Sequence, residues 1–356
     1  MSRAGDDILF ERRGKALLIT LNRPKALNAL SLEMCLDMED QLDKAMDDAS
    51  VELVIVRGAG GRALCAGGDI RRVCEEGQAG NWYPYQFFKN EYRLNAKLYH
   101  FPKPYIALMD GIVMGGGVGL AVHGTWRVVS DRINFAMPET AIGLFPDVGG
   151  GYFMPRMPGR LGLYLALTGT RIKAADVLYA GCGDMMVPAD QMGPLAEALC
   201  AGGDIEATIK RFSAEPEGHS ILREHREAID EAFAGNDMDA IVAALGERTD
   251  DWSVNTLQLL MRMSPTAMKI TCRQFHEGAK KDFNACMVME YRMACGCITG
   301  HDFYEGVRAV IVDKDNAPQW QPASLAEISD ADVAAYFDKV PPDGDIDDLP
   351  PARRKD

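Results

Sequence analysis

Two glycine-rich segments, each placed directly after a short apolar run, constrain the fold of this chain more than any other feature. Residues 58–69 (GAGGRALCAGGD) follow the run LVIVR at 53–57, and residues 110–119 (DGIVMGGGVG) follow PYIAL at 104–108. Short apolar runs bounded by turn residues are typical of buried strands. Glycine after such a strand lets two backbone segments approach closely, because no Cβ lies between them. The pattern predicts strand–loop–helix units.

An alternation of strand and helix patterns runs through the first half of the chain. Strands are predicted at 15–21, 53–57, 104–108 and 126–130. A helix is predicted at 32–46, with Ser31 as its N-cap. After about residue 160 the patterns are mostly helical, at 174–180, 189–200, 219–234, 251–262 and from Ser264-Pro265 onward. We therefore expect an α/β core in residues 1–200, a helical region in 201–340 and a poorly ordered, charged tail in 341–356.

The composition of the 356-residue chain narrows the classes of partner. Hydrophobic residues make up 47% and charged residues 25%, which is typical of a globular enzyme. The apolar runs are too short to span a membrane and the first residues lack the apolar core of a signal peptide, so we expect a cytoplasmic protein without a membrane partner. The net charge of -14 disfavours a nucleic-acid partner, which requires a basic face.

The cysteines and histidines predict no metal site. Nine cysteines occur at irregular spacing, which in a cytosolic chain is typical of reduced thiols. Cys295 and Cys297 form a CxC motif without a second pair of ligands nearby, and the six histidines do not cluster.

The first glycine segment also matches a dinucleotide-binding fingerprint, with glycines at 58 and 60 and alanine at 63. That fingerprint requires a helix to open at the glycines, because the pyrophosphate binds the helix N-terminus. Here a second loop, 66–69, precedes any helical pattern, and no strand ending in an acidic residue follows about 20 residues later. A nucleotide cofactor is therefore disfavoured.

An oxyanion hole is a better interpretation of the two glycine segments. Gly68 precedes a predicted helix that begins at Asp69, and Gly116 precedes one at 117–123. Helix N-termini present free N–H groups, and two such groups stabilise the negative charge on the oxygen of a thioester under attack. Tight turns in packed α/β units are the alternative for either loop taken alone.

The combination of these motifs resembles the crotonase (enoyl-CoA hydratase/isomerase) superfamily. The resemblance is carried by AGGD at 66–69, GGG at 115–117 and LNRPKALNAL at 21–30. It implies a spiral core of repeated ββα units with a helical C-terminal region, an oxyanion hole at Gly68 and Gly116, and an acyl-CoA substrate with no separate cofactor. It also implies a homo-oligomer, as in many members, and a CoA channel lined by two loops that include Lys25, Leu27, Ala29, Arg62, Ala63 and Ala66.

The choice of reaction depends on the carboxylates. Hydratases of the superfamily use two glutamates, at the positions of Gly119 and Glu139, and the glycine at 119 leaves Glu139 alone. Residues 136–151 (AMPETAIGLFPDVGGG) and 302–320 are similar to the 3-hydroxyisobutyryl-CoA hydrolase family, which implies that Glu91, Gly116, Glu139 and Asp147 bind the substrate. The resemblance implies hydrolysis of a short 3-hydroxyacyl-CoA, as in valine catabolism.

Within that reaction the two carboxylates receive different roles. Glu139 is expected to activate water or to attack the thioester itself, and Asp147 to accept a hydrogen bond from the substrate's 3-hydroxyl. Two carboxylates in one pocket are also expected to raise the pKa of one of them.

Other interpretations remain open from the residues alone. An enoyl-CoA hydratase or isomerase could work with Glu139 as a single proton shuttle, and a CoA-binding module could retain the pocket without turnover. Glu139 after Pro138, Asp147 before a Val-Gly turn and Glu91 in a helix could each have a purely structural role. Cys65 lies beside the predicted oxyanion hole, but no histidine is spaced to activate it as a nucleophile.

Overall fold

The computed structural model describes residues 2–235 and 237–351, in which strands form two sheets. The strands are β1 Ile8–Arg13, β2 Ala16–Leu21, β3 Leu53–Gly58, β4 Ala63–Cys65, β5 Tyr105–Met109, β6 Ile112–Met114, β7 Trp126–Ser130, β8 Asn134–Ala136 and β9 Met185–Val187. The larger sheet has the order β1-β2-β3-β5-β7-β9, and its pairs are parallel apart from β1 with β2. A smaller parallel sheet has the order β4-β6-β8.

Helices surround the sheets and make up most of the second half of the described chain. The α-helices are α1 Leu32–Asp47, α2 Ile70–Gln78, α3 Tyr83–Tyr99, α4 Gly116–Val122, α5 Gly150–Phe153, α6 Leu161–Thr168, α7 Ala174–Tyr179, α8 Met192–Cys200, α9 Ile205–Phe212, α10 Ile221–Glu224, α11 Arg226–Ala232, α12 Met238–Gly246, α13 Asp251–Leu260, α14 Pro265–Gly278, α15 Phe283–Cys297, α16 His301–Val307 and α17 Asp330–Phe337. Short 3-10 helices include Glu139–Ile142, and a π-helical turn lies at Arg308–Val312.

The ββα spiral expected from the sequence is confirmed. Consecutive strands β3 and β4, β5 and β6, and β7 and β8 each divide between the two sheets. In the first two units the helix that follows, α2 or α4, begins just after the strand of the small sheet. The glycine loops therefore lie side by side at the ends of β4 and β6.

The alternation of side chains along the strands builds a core on each face of the larger sheet. Leu18, Ile55 and Val128 pack in a cluster covered by α8 and α9, whereas their neighbours Ile19 and Val54 belong to the main core. Because both faces of the sheet are covered, its central strands are apolar throughout, as expected for parallel sheets. This burial holds rigid the strand ends from which the glycine loops emerge.

The helix starts predicted from the sequence are observed. The Ser31 hydroxyl accepts a hydrogen bond from the Met34 N–H at 3.3 Å, and the Ser264 hydroxyl accepts one from the Ala267 N–H at 3.0 Å. The predicted helix at 219–234 consists of two short helices, α10 and α11, and the first residues of the predicted 189–200 helix form a 3-10 turn. No helix among the described residues combines the length and apolarity that crossing a membrane requires.

The C-terminal tail differs from the sequence-based expectation over residues 341–351. Ile346 is 3% exposed, and the Asp343 carboxylate accepts a hydrogen bond from the Tyr291 hydroxyl at 2.6 Å. The Arg292 guanidinium pairs with Asp345, and Lys89 of α3 pairs with Asp343. The charged tail is held because its acidic residues find basic partners on α3 and α15. The rest of the predicted tail, 352–356, lies outside the described residues.

Candidate active site

A cavity of about 370 Å³ lies where the two glycine loops meet the segment 138–147. Its lining unites the predicted Gly68, Gly116, Glu91, Glu139 and Asp147. Apolar side chains from the core and from the C-terminal helices complete the wall, among them Ile70, Phe88, Met114, Leu144, Leu259, Met263, Val310 and Ile311. The cavity therefore combines two backbone loops and three carboxyl groups in an apolar enclosure, which is typical of a small-molecule site.

The two glycine loops form what we call the oxyanion side, defined by the N–H groups of Gly68 and Gly116. Gly116 is the first residue of α4, and Gly115 before it has a φ of +49°, which favours glycine. A Cβ built on Gly116 would lie 3.3 Å from the Gly68 nitrogen, so the two N–H groups are neighbours. Within residues 2–235 and 237–351, neither N–H has a protein acceptor. Both are free to bind an oxygen in the cavity.

Hydrogen bonds and an ion pair with nearby residues fix the backbone around Gly68. The Leu30 N–H donates to the Gly67 carbonyl at 2.9 Å, and the Asp69 N–H donates to the Leu30 carbonyl at 2.7 Å. Arg23 bonds Asp69 through an ion pair at 2.8 Å. The oxyanion side is therefore positioned by contacts among the first 120 residues of the chain.

Glu139 lies in the same cavity, close to the second glycine loop. It opens the 3-10 helix Glu139–Ile142, is 5% exposed, and its Oε2 has no hydrogen-bond partner among the described residues. A Cβ built on Gly115 would lie 3.1 Å from its Oε1. Burial raises the pKa of Glu139 well above its ordinary value, and the charge of Asp147 raises it further. A buried carboxyl group with an unpaired oxygen, in one cavity with two free N–H groups, is a candidate base or nucleophile.

Asp147 and Glu91 supply the other two carboxyl groups. The Tyr92 hydroxyl donates to Asp147 Oδ2 at 2.7 Å, and burial raises the pKa of Asp147 to about 7 although that hydrogen bond lowers it. Glu91, on α3, is 2% exposed, and its Oε1 has no partner among the described residues. Burial raises the pKa of Glu91 too, with a contribution from Asp147. Three such groups cannot all be ionised at neutral pH.

The loop 146–151, which carries Asp147, is held by residues far away in sequence. Both oxygens of Glu290 on α15 accept backbone hydrogen bonds, from the N–H groups of Gly149 and Gly151, each at 2.8 Å. Gln274 on α14 donates from Nε2 to the Pro146 carbonyl at 2.8 Å. We call Glu139, Asp147 and this loop the carboxylate side.

The segment that carries Glu139 is supported in the same way. The Ser264 N–H donates to the Thr140 carbonyl at 3.0 Å. A Cβ on Gly306 of α16 would lie 2.5 Å from the Ile142 backbone, so glycine at 306 allows α16 to pack directly on the 3-10 helix. The C-terminal helices thus support the segments that carry Glu139 and Asp147.

Comparison with known proteins identifies the relatives of this site. A family model described as enoyl-CoA hydratase/isomerase matches residues 16–337. The chain belongs to the enoyl-CoA hydratase/isomerase family. Among similar proteins, the mitochondrial 3-hydroxyisobutyryl-CoA hydrolase of Danio rerio is 45% identical over 348 residues, covering 95% of this chain and 91% of that one. The Homo sapiens protein of the same name is 44% identical over 343 residues, covering 94% and 89%.

Two solved structures resemble the fold over nearly its full length. A carnitinyl-CoA dehydratase from Mycobacterium thermoresistibile has a TM-score of 0.91 with 41% identity, covering 96% of this chain and 98% of that one. An enoyl-CoA hydratase from Rhodobacter sphaeroides 2.4.1 has a TM-score of 0.87 with 37% identity, covering 95% and 99%. The crotonase fold inferred from the sequence is confirmed.

Position 119, where the sequence has a glycine, is tightly packed. A Cβ built on Gly119 would lie 2.6 Å from the Val148 Cβ and 2.7 Å from Asn95 Nδ2. Real Cβ atoms essentially never approach so closely, so no larger side chain fits without movement of the Asp147 loop. Position 119 therefore carries no carboxylate, and a larger side chain there requires Val148 to move.

The predicted CoA loops of the family lie side by side, but only Ala66 of their six candidate residues lines the cavity. The Ala66 N–H donates to the Leu27 carbonyl at 3.0 Å, and Asn28 Nδ2 donates to the Ala63 carbonyl at 2.9 Å. Lys25 and Arg62 are exposed, Ala29 is half-buried, and none of the three lines the cavity. Sequence reasoning missed Arg171, an exposed cation on the lining.

Two remaining expectations concern cysteine and metal. The thiol of Cys65 is fully buried, and burial raises its pKa to about 12, which keeps it protonated and unreactive. No group of three or more His, Cys, Asp or Glu side chains in the described ranges could hold a metal ion.

Proposed function

We propose that this protein hydrolyses 3-hydroxyisobutyryl-CoA to 3-hydroxyisobutyrate and CoA, as in valine catabolism. One observation carries the proposal: Glu139, which has an unpaired carboxyl oxygen, shares a cavity with Asp147 and with the two glycine N–H groups, while a larger side chain at 119 would require Val148 to move. The identity of 44–45% with hydrolases of that name supports the acyl group.

The reaction begins with the thioester oxygen bound by the N–H groups of Gly68 and Gly116. These donors stabilise the negative charge that develops on this oxygen, and one such donor is worth roughly 3 kcal/mol of barrier. Ionised Glu139 then removes a proton from an attacking water, and that proton passes to the departing CoA thiolate. In the covalent route the Glu139 carboxylate attacks the carbonyl and CoA leaves as a thiolate. Water then opens the resulting anhydride to regenerate Glu139 and release the hydroxy acid, and the proton set free passes to the thiolate.

Asp147 gives the site its preference for a hydroxylated acyl chain. Its Oδ2 is bonded to Tyr92, which leaves Oδ1 to accept a hydrogen bond from the substrate's 3-hydroxyl. A substrate without the hydroxyl leaves this buried oxygen unpaired, and such mismatches reduce kcat/KM strongly. The carboxyl group of Glu91, raised in pKa beside Asp147, carries a proton and keeps the total charge of the cavity low.

Arg171 is our candidate for contact with the CoA phosphates. It lies at the exposed edge of the cavity lining, in a chain of net charge -14 where few cations are placed near the site. The side chains named so far supply the acid–base chemistry and the oxyanion hole, so CoA enters only as part of the substrate and no further cofactor is proposed.

A second candidate function is the hydration of an enoyl-CoA, favoured by the names of the two solved structures and by the family they share. It would use Glu139 as a single proton shuttle. The closed position 119 weighs against it, because that is where a hydratase of this family carries its second glutamate.

A thiol-release assay with 3-hydroxyisobutyryl-, 3-hydroxypropionyl- and crotonyl-CoA tests the proposal. We expect rapid CoA release from the first, and loss of release in Glu139→Gln. Loss of the conjugated absorbance of crotonyl-CoA without CoA release would instead support the hydratase. Single turnover in oxygen-18 water separates the two routes, since only the anhydride route places the isotope in Glu139.

A further inference from the structure

We propose that Glu290 is a positioning residue that sets the preference for a 3-hydroxylated acyl chain by holding the loop 146–151 with Asp147 directed at the hydroxyl. The inference rests on the proposed function, in which Asp147 binds that hydroxyl. Glu290 lies on α15, does not line the cavity and is outside the chemistry described above.

Glu290 acts as a clamp, because its hydrogen bonds hold the loop 146–151 in place. It is 0% exposed, and its two carboxylate oxygens accept from the N–H groups of Gly149 and Gly151, each at 2.8 Å. Gln274 Nε2 joins the same network, since it donates to Glu290 Oε1 at 3.2 Å and to the Pro146 carbonyl at 2.8 Å. The hydrogen bonds reach both sides of Asp147.

The loop needs such a clamp because its own backbone is unfavourable. Val148 has a φ of +50°, a left-handed conformation that branched side chains rarely adopt, and Gly149 follows with a φ of +91°. A strained segment persists only where its surroundings impose it. His123 at the end of α4 adds one more bond, from its Nε2 to the Val148 carbonyl at 2.7 Å.

The two oxygens of a carboxyl side chain match the two N–H donors of this loop. Two N–H donors need two acceptor oxygens, and a glutamine would replace one acceptor with an NH₂ group that opposes an N–H. Burial raises the pKa of Glu290 to about 8 and the charge of Asp147 adds to this, while the bonds from Gly149, Gly151 and Gln274 lower it. Substitution by glutamine keeps the volume but replaces one acceptor oxygen with an NH₂ group, so it removes one clamp bond.

The test is the ratio of kcat/KM for 3-hydroxyisobutyryl-CoA to that for isobutyryl-CoA, measured by thiol release. Glu290→Gln is expected to lower this ratio about tenfold, because Asp147 is no longer aimed at the hydroxyl, while kcat for isobutyryl-CoA changes little. In an Asp147→Asn background the same change should lower the ratio no further, since the two residues act through one contact.

A matched control separates positioning from general loss of packing. Asp176 is also a buried carboxylate that accepts a backbone hydrogen bond, from the Leu222 N–H at 2.9 Å, but it does not line the cavity. Asp176→Asn should lower Tm and leave the substrate ratio unchanged. Should Glu290→Gln not fold, Gln274→Met removes the bond to Pro146, and the same decrease in ratio is expected.

The outcomes distinguish this inference from the proposed function. A wild type that releases no CoA from 3-hydroxyisobutyryl-CoA overturns the function. An active wild type that prefers the hydroxylated substrate, with the preference kept in Glu290→Gln and in Gln274→Met, overturns the role of Glu290 alone. Equal loss on both substrates has the same meaning, because it indicates a structural role only.

Discussion

The oxyanion side and the carboxylate side of the cavity are held in place by different parts of the chain. Gly68 and Gly116 emerge from neighbouring strands of the small sheet, and their supporting bonds come from residues such as Leu30 and Arg23. Glu139 and Asp147 lie on irregular segments whose bonds come from α14 and α15. The first side is held within the spiral core, whereas the second also depends on the helical region. Substitutions in α14 and α15 are therefore expected to affect the carboxylate side more than the oxyanion side.

The largest effect is expected from closing the oxyanion side. In Gly116→Ala the new Cβ would overlap Glu91 Oε1, which must displace the α4 N-terminus or the carboxyl group. Loss of one oxyanion donor lowers kcat by about 10²–10³-fold. Gly193→Ala is the control, since a Cβ there meets nothing within 4 Å, and it should keep full activity. An active Gly116→Ala enzyme would contradict the assigned hole.

The burial of the Asp147 carboxyl group on the carboxylate side should lower the stability of the folded protein at neutral pH. The folded-state pKa of Asp147 is about 7, raised by burial from an ordinary value of 3.8, so the folded protein binds the proton more tightly than the unfolded one. Stability therefore falls as pH rises from about 4 to 7. Asp147→Asn removes this penalty, and Tm at pH 8 should rise by an amount equivalent to about 1–4 kcal/mol. The gain should shrink towards pH 4.

Asp37 gives the opposite control for that measurement. Burial acts to raise its pKa, but hydrogen bonds from the Ala4 N–H, the Ser2 hydroxyl and Arg3 lower it overall. Asp37→Asn should therefore lower Tm at pH 8, with a smaller difference in acid. A change of Tm in the same direction for Asp147→Asn and Asp37→Asn would contradict a destabilising effect of the buried Asp147 carboxylate.

The charge of Asp147 should also appear in the pH dependence of turnover. Burial raises the pKa of Glu139, and Asp147 adds to the effect, so activity on isobutyryl-CoA should rise with pH through a midpoint well above 4.5. In Asp147→Asn this midpoint should move to lower pH, by about one unit, because the repulsion is gone. A midpoint unchanged by the substitution would show that the group whose titration controls turnover does not interact with Asp147.

The smallest effect is expected at Cys65, inside the oxyanion side. Its thiol and the Gly67 backbone lie 3.4 Å apart, a contact that a serine hydroxyl can reproduce. Cys65→Ser should change kcat by no more than about threefold, because a fully buried thiol is not the nucleophile. A loss as large as that of Gly116→Ala would assign chemistry to the thiol.

The two sides also differ in how far the sequence predicts them. The glycine segments at 58–69 and 110–119 follow strong strands, so Gly68 and Gly116 could be placed at helix starts from local pattern. The strands β4, β6 and β8 have three residues each, too few for a periodic signal, and the small sheet was not predicted. Glu139 and Asp147 were found through family resemblance, not through their local pattern.

The role of Glu290 depends on residues distant in sequence, which local sequence patterns do not reveal. Its partners Gly149 and Gly151 lie about 140 residues earlier, and no local pattern connects them. A signal was present, since Glu290 stands among the apolar residues Met287, Met289 and Tyr291, and a charge among apolar residues indicates a buried partner. The tail was misjudged for a related reason, because its acidic residues pair with Lys89 and Arg292 on distant helices.

The contact between Gly119 and Val148 has a consequence for evolution and for engineering. A glutamate introduced at 119 would displace Val148, and with it the loop bonded by His123 and Glu290. A larger side chain at 119 therefore needs a compensating change at 148, so the effects of the two substitutions are non-additive. An engineered carboxylate at 119 must be introduced together with a redesigned loop at 146–151.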